Sequence, residues 1–235
     1  MGYCNVNELS TYTGFSPSDF KVNGKEMTEA EWNDFLDLII STAYQKINRY
    51  CNVTSFETTT VTEYHDGRGS TGDFGAYRDF DKTFYLRESP VQSVTSLSIN
   101  NQSPSVSPVW VDLTEVSSLT DGDFIVNKNY ELGKIIIVSG NVPVEGYNNV
   151  KIVYVSGYPT SSDEYKDIKM ANILVAQNLL LQKKKVQEAT TLRATGARDM
   201  SEMFALFNES YVLTNEIKNT LDRYKRRQVD MSLYQ

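Results

Sequence analysis

Asn149-Val150-Lys151-Ile152-Val153-Tyr154-Val155-Ser156-Gly157-Tyr158-Pro159 is the stretch where the chain changes its period. Through Ser156 the residues are β-branched and aromatic and read at step two, as a strand does. After Pro159 the apolar residues recur at steps of three and four: Tyr165, Ile168, Ala171, Asn172, Val175, Ala176, Leu179 and Leu180. That is a helical stripe with one polar member, Asn172. Ser162 is a suitable N-cap. Lys183, Lys184 and Lys185 fit the last turn, where positive charge suits the helix dipole. Residues 186–197, including Gly196, read as a loop.

Upstream of this switch the period stays at two from Phe56 onward. The spacing predicts strands at 57–64, 83–87, 91–99, 108–113, 123–127, 133–138 and 149–156, parted by glycine, asparagine, proline and aspartate. Short strands in series with no helix between them imply an antiparallel sheet or a small sandwich. Before them a helix is expected over about Glu29–Tyr50. Thr28 and Glu31 have capping-box spacing. Trp32, Phe35, Leu36, Ile39, Ile40, Ala43, Ile47 and Tyr50 form one wide apolar face. Residues 1–20 read as a short helix and loop, capped by Asn5 and ended by Gly14 and Pro17. Downstream, a last helix is expected over about Asp199–Arg227, and 228–235 carries no period. The expected architecture is α+β: a helical bundle, made of the N-terminal helix plus two C-terminal helices, with an inserted antiparallel β-sheet or small β-sandwich. The segments are 1–55 (helical), 56–158 (β), 159–227 (C-terminal helices packing on the first) and 228–235 (extended tail).

The composition, 40% hydrophobic and 23% charged, is that of a globular chain. No apolar run reaches the roughly 20 residues that span a bilayer, and Met1–Ser10 does not read as a signal peptide. Cys4 and Cys51 are two cysteines only, read as free thiols in a reducing cytosol. The net charge of −7 argues against a general nucleic-acid binder. It divides unevenly, into −11 over residues 1–165 and +4 over 166–235. An acidic body with a basic end suggests that the end meets an acidic surface.

Several motifs invite chemistry and lack its context. Gly67-Arg68-Gly69-Ser70-Thr71-Gly72 fits G-x-G-x-x-G, but the aspartate-bearing run after it opens no amphipathic helix to meet a pyrophosphate. Asp73-Phe74-Gly75 has no kinase catalytic loop before it. His65 is the one histidine and sits beside Asp66 at an expected strand end. No G-x-S-x-G turn marks a nucleophile for it, so a turn histidine is the simpler reading and a hydrolase built on His65 the rival one. One His and two distant Cys make no zinc site, and Asp121-Gly122-Asp123 does not continue as a calcium loop. No cofactor and no metal are expected. The basic cluster Arg223, Lys225, Arg226 and Arg227 reads either as a dipole-matched helix end or as a contact element. The second reading draws on Val229, Met231, Leu233 and Tyr234, apolar residues on a tail that would be used for docking.

Four segments in order carry a resemblance. They are Ile47-Asn48-Arg49-Tyr50-Cys51 ending the first helix, and Asp66-Gly67-Arg68-Gly69 leading to Phe84-Tyr85-Leu86-Arg87-Glu88-Ser89-Pro90-Val91-Gln92-Ser93-Val94-Thr95-Ser96-Leu97. Then come Gly133-Lys134-Ile135-Ile136-Ile137 with 149–158, and the helix beginning near Asp163. Over roughly 28–185 the chain resembles the head–tail connector, or adaptor, proteins of tailed double-stranded-DNA phages. It departs from the short members in a longer 70–81 loop, an expanded 100–123 segment and the extension after 198. The resemblance implies a structural virion protein and no enzyme. It implies a homo-oligomeric ring, usually of twelve copies, under the portal protein at the head–tail interface, built from subunits made in the host cytoplasm. DNA would pass through the lumen without specific binding, and an acidic lumen would repel its backbone. It further implies that Arg223, Lys225, Arg226, Arg227, Val229, Met231, Leu233 and Tyr234 dock on the portal. A loop with Asp66, Gly67, Arg68, Gly69, Tyr77 and Phe80 would meet the next neck protein, a stopper or tail-completion protein. The rival structural role is a tail-completion or baseplate protein. A further rival is a nucleic-acid-binding accessory protein acting through Lys183–Lys185 and the tail.

Overall fold

The helix expected from the Trp32–Tyr50 stripe starts where Thr28 and Glu31 cap it. The Thr28 hydroxyl accepts from Glu31 N–H at 3.3 Å and the Glu31 carboxylate accepts from Thr28 N–H at 2.8 Å. It ends where Asn52 takes the left-handed conformation (φ 56°). The computed structural model describes residues 2–22, 25–67, 83–100, 107, 109–116, 122–127, 133–138, 143, 146–194 and 212–225. In chain order these hold α1 (Val6–Thr13), a 3-10 turn (Pro17–Asp19), β1 (Lys21–Val22), β2 (Lys25–Glu26) and α2 (Glu29–Cys51). There follow β3 (Thr59–Gly67), β4 (Thr83–Tyr85), β5 (Val91–Asn100), β6 (Trp110–Leu113), β7 (Phe124–Asn127), β8 (Lys134–Ile137) and β9 (Gly146–Ser156). Last come α3 (Asp163–Ala194) and α4 (Asn215–Leu221). The chain is α+β, with the strands β3–β9 inserted between helical segments.

The described residues of Met1–Thr54 and Ser161–Lys225 make one compact unit, and those of Ser55–Thr160 another. In the helical unit α3 packs against α2. Leu36, Ile40, Ala43 and Ile47 of α2 and Ile168, Ala171, Val175, Ala176 and Leu180 of α3 are buried, as are Leu9 of α1 and Ile217 and Leu221 of α4. One end of α2 is closed by aromatics: Phe20 stacks on Trp32 with ring centroids 5.2 Å apart and meets Phe15 edge-on at 5.6 Å. The other unit holds two antiparallel sheets, ordered β3-β9-β5-β6 and β4-β8-β7. They share one core. Leu97, Ile99, Leu113, Val150, Ile152 and Tyr154 come from the first sheet, and Phe84, Phe124, Ile135 and Ile137 from the second. That is the small sandwich. All seven expected strands occur; β3, β4, β8 and Val150–Ser156 of β9 alternate between a core side and a more exposed side, while Leu97–Asn100 of β5 are buried throughout.

Two helical boundaries differ from expectation. The stretch 186–194, expected as loop, continues α3 to Ala194. It contains no glycine or proline, and a lysine run is compatible with helix interior as well as helix end. The single helix expected over 199–227 does not hold. Val212–Thr214 is non-helical, and Thr214 caps a new short helix by accepting from Ile217 N–H at 3.4 Å. Residues 199–211 lie outside the described residues. The β1–β2 pair, two residues a side, was too short to show a period.

The β unit closes at its own neck. Tyr158 N–H donates to the Phe56 carbonyl at 2.8 Å, and Glu57 bridges Tyr158. Beside them Gly157 has φ +102°, and a Cβ there would lie 2.3 Å from the Glu57 carbonyl oxygen. Positive φ alone costs a non-glycine residue about 1–2 kcal/mol, and the clash adds to it. Gly157→Ala should therefore lower the urea midpoint of unfolding at unchanged m-value, and the midpoint shift multiplied by m should exceed that backbone cost.

Candidate docking site and buried polar clusters

The five residues that end α2 turn out to be a fastening point. Ile47 is core. Asn48 is buried, accepts from the Tyr3 hydroxyl, and donates through Nδ2 to the Thr54 carbonyl at 2.8 Å. Arg49 is exposed. The Tyr50 hydroxyl donates to Asp222 Oδ1 at 2.7 Å, and the buried Cys51 Sγ lies 3.8 Å from the Leu221 carbonyl. Lys225 Nζ stands 4.7 Å above the Tyr50 ring, a cation–π contact. The Tyr224 hydroxyl donates to Asp167 Oδ2 of α3 at 2.8 Å. The segment after α4 is thus tied to both long helices, up to and including Lys225.

This changes the picture of the candidate docking residues. Lys225, one of the expected basic docking residues, is exposed and stands over the Tyr50 ring. Arg223 is exposed. Arg226, Arg227, Val229, Met231, Leu233 and Tyr234 lie outside the described residues. Of the candidate neck-contact loop, Asp66 and Gly67 are not loop but the end of β3, pairing toward β9 across a bulge. Asp66 is exposed and accepts from Asn148 N–H at 2.9 Å, while Gly67 is buried. Strand alternation simply continues past position 64, where the expected strand stopped. Arg68, Gly69, Tyr77 and Phe80 lie outside the described residues. Among the lysines of α3, Lys184 is paired with Asp19 at 2.9 Å and covers the Phe15 ring at 5.2 Å. Lys183 and Lys185 are exposed.

His65 is a strand residue of β3 rather than a turn residue. Its Nε2 lies 3.2 Å from Glu63 Oε2, and its ring meets Phe84 edge-on at 5.6 Å. The centre of this cluster is Glu63, which is buried. Its carboxylate accepts from the Tyr154 hydroxyl of β9 and from Arg87 N–H (2.9 Å to Oε1, 3.2 Å to Oε2). Tyr154 in turn accepts from Glu88 N–H at 2.9 Å. Burial pushes the Glu63 carboxyl up, but the bonds from His65, Tyr154 and Arg87 outweigh it and hold the carboxyl below its ordinary value. Burial and the adjacent Glu63 push the Tyr154 hydroxyl well up, so it stays protonated and keeps donating. Among the described residues no serine, threonine or cysteine side chain hydrogen-bonds His65, so the cluster lacks a nucleophile–base pair. What it does is fasten β3, β9 and the Arg87–Pro90 turn, which leads from one sheet to the other. Position parity along β3 could have found it, since Val61, Glu63 and His65 occupy the inward side.

The helical unit holds a second polar pair. Cys4 Sγ donates to Asn172 Oδ1 at 3.1 Å, and both are buried. Burial pushes the Cys4 thiol up to about 11 and the Cys51 thiol up to about 12. Among the described residues no group of three or more His, Cys, Asp or Glu is arranged to hold a metal ion, and no helix is long and apolar enough to cross a membrane. No protein-family model and no curated protein matches the chain.

Two outcomes follow from this chemistry. A carboxyl held low in the folded state contributes stability that is present above its unfolded value, about 4.3, and is lost as pH falls through the folded value. Acid unfolding curves of wild type and Glu63→Gln should therefore converge as pH drops below about 4, with wild type more stable at neutral pH. Curves that stay parallel down to acid pH would contradict the anionic clasp. Cys4 and Cys51, buried and protonated, should resist iodoacetamide at pH 8 in the folded protein. Mass spectrometry should find both alkylated once the protein is unfolded.

Proposed function

We propose that the chain is a non-enzymatic structural subunit of a tailed-phage particle. It is the adaptor of the neck, a ring beneath the portal that joins it to the next neck or tail protein around the DNA channel. The observation that carries this reading is the use made of Ile47–Cys51. The motif that ends α2 fastens the C-terminal segment through Asp222 and Lys225. The basic and apolar residues from Arg226 onward therefore begin from a fixed point on the helical unit. A docking arm needs such a root, because ordering only the arm on binding limits the entropy lost.

Charge supports the same reading. Residues 1–165 carry −11 and 166–235 carry +4. An acidic body would let DNA slide past by repulsion, while a basic arm would be drawn to an acidic protein surface. The Glu63–His65–Tyr154 cluster fits a structural role as well, since its hydrogen bonds are spent on joining strands to a turn. Neighbouring copies would pack through their helices, and a ring repeats any interface defect around its symmetry.

Deleting 226–235 leaves the Tyr50–Asp222 and Tyr50–Lys225 contacts in place. The truncated protein should still fold, by circular dichroism, but no longer co-sediment with portal rings. Co-sedimentation of the truncated protein at the full-length level would contradict the docking assignment.

A further inference from the structure

Leu38 follows the buried Leu36 by two residues, which puts it roughly 200° around α2 from the core, and it is 64% exposed. Glu31, Asp34, Leu38, Gln45 and Arg49 are all exposed and share this outer line at steps of three, four, seven and four. The line is acidic at the N-terminal end of α2 and basic at the C-terminal end. Met170 follows the buried Ile168 in the same way, on the outer side of α3. Asp163, Met170, Leu174, Leu181 and Lys185 lie along it at steps of seven, four, seven and four. Met170 is 43% exposed and Leu181 38%, and Leu174 is half-buried. At the start of α3 Asp163, Glu164 and Asp167 outnumber Lys166, and toward its end Lys183, Lys184 and Lys185 outnumber Glu188.

The two helices run antiparallel. The end of α2 lies with the start of α3, since Tyr50 bonds Asp222 and Tyr224 bonds Asp167. At the other end Lys184 pairs with Asp19, next to the Phe20–Trp32 stack. At each end of the helical unit the two outer lines therefore carry opposite charge. A single exposed leucine means little. An apolar line on each of two packed helices, with the charges in matching order, makes a complementary pair of surfaces.

From this complementarity we infer that the outer face of α2 packs on the outer face of α3 of a second copy of this chain. Leu38 of one copy meets Met170, Leu174 and Leu181 of the next, with Asp34 toward Lys185 and Arg49 toward Asp163. The contact joins two different surfaces, so it repeats head to tail and closes into a ring where the rotation permits. Rotation about one axis keeps the same ends of neighbouring copies level, which is the arrangement in which these charges match. This rests on the reading that the copies form a ring.

The test is sedimentation velocity of the full chain, alone and with portal rings, for wild type, Leu38→Glu and Met170→Glu. Both positions are exposed, and circular dichroism should show both variants folded. Wild type should form assemblies larger than a dimer. Each variant alone should need a roughly tenfold higher concentration to associate, as loss of a buried interface anchor demands. An equimolar mixture of the two should give dimers and nothing larger, because each supplies the face that the other lacks. If wild type assembles only on portal rings, each substitution should weaken portal binding to the same extent. A variant that assembles like wild type, or a mixture that yields no dimer where wild type assembles alone, overturns the inference and leaves the ring reading intact. Wild type that associates neither alone nor on portal rings removes the ring reading, and this interface with it.

Discussion

The burial of α2 against α3 is the constraint on which the helical unit depends, because the two helices are far apart in sequence. Roughly 110 residues separate Cys51 from Asp163. Closing a flexible loop of that length costs on the order of 4 kcal/mol beyond a constant term. Each fully buried aliphatic side chain returns about 1.5–3 kcal/mol, and α2 and α3 together bury Leu36, Ile40, Ile47, Ile168, Val175 and Leu180. The seam therefore outweighs the closure. The insert reduces the cost further by meeting at its own neck. Phe56 bonds Tyr158, and Gly157 lets the two chains touch. Gly157 thus has a steric reason to be glycine.

Each unit has its own polar fastening inside an apolar interior. In the β unit Glu63 is surrounded by donors from β3, β9 and the turn after β4. A buried carboxylate is costly unless its lone pairs are used, and a removed partner leaves the rest unpaired. Such a group tolerates one arrangement of the strands and penalises others. In the helical unit Tyr50, Asp222 and Lys225 play the corresponding part at the surface, tying sequence-distant ends together.

Much of this was legible in the sequence. The strands showed because Val, Ile, Tyr and Thr alternate, and α2 showed because its stripe and capping box agree. What escaped had physical causes. The end of α3 was hidden because the apolar stripe thins over 186–194 to Val186, Ala189, Leu192 and Ala194, while no breaker marks where the helix stops. The break at Val212–Thr214 was hidden because Leu213 and Ile217 keep helical spacing across it. His65 was misplaced because its neighbour Asp66 suggests a turn, whereas both continue β3. Lys225 was seen as a charge only. Its partner Tyr50 stands at the end of a helix far back in the chain, and no local pattern announces a contact of that separation.

For the proposed adaptor role the most direct measurement is cryo-electron microscopy of purified virions, focused on the neck. The account predicts a ring of copies immediately below the portal, with each chain fastened at Lys225 and residues 226–235 running onto the portal. A ring elsewhere in the tail, or particles that lack the chain, would contradict it.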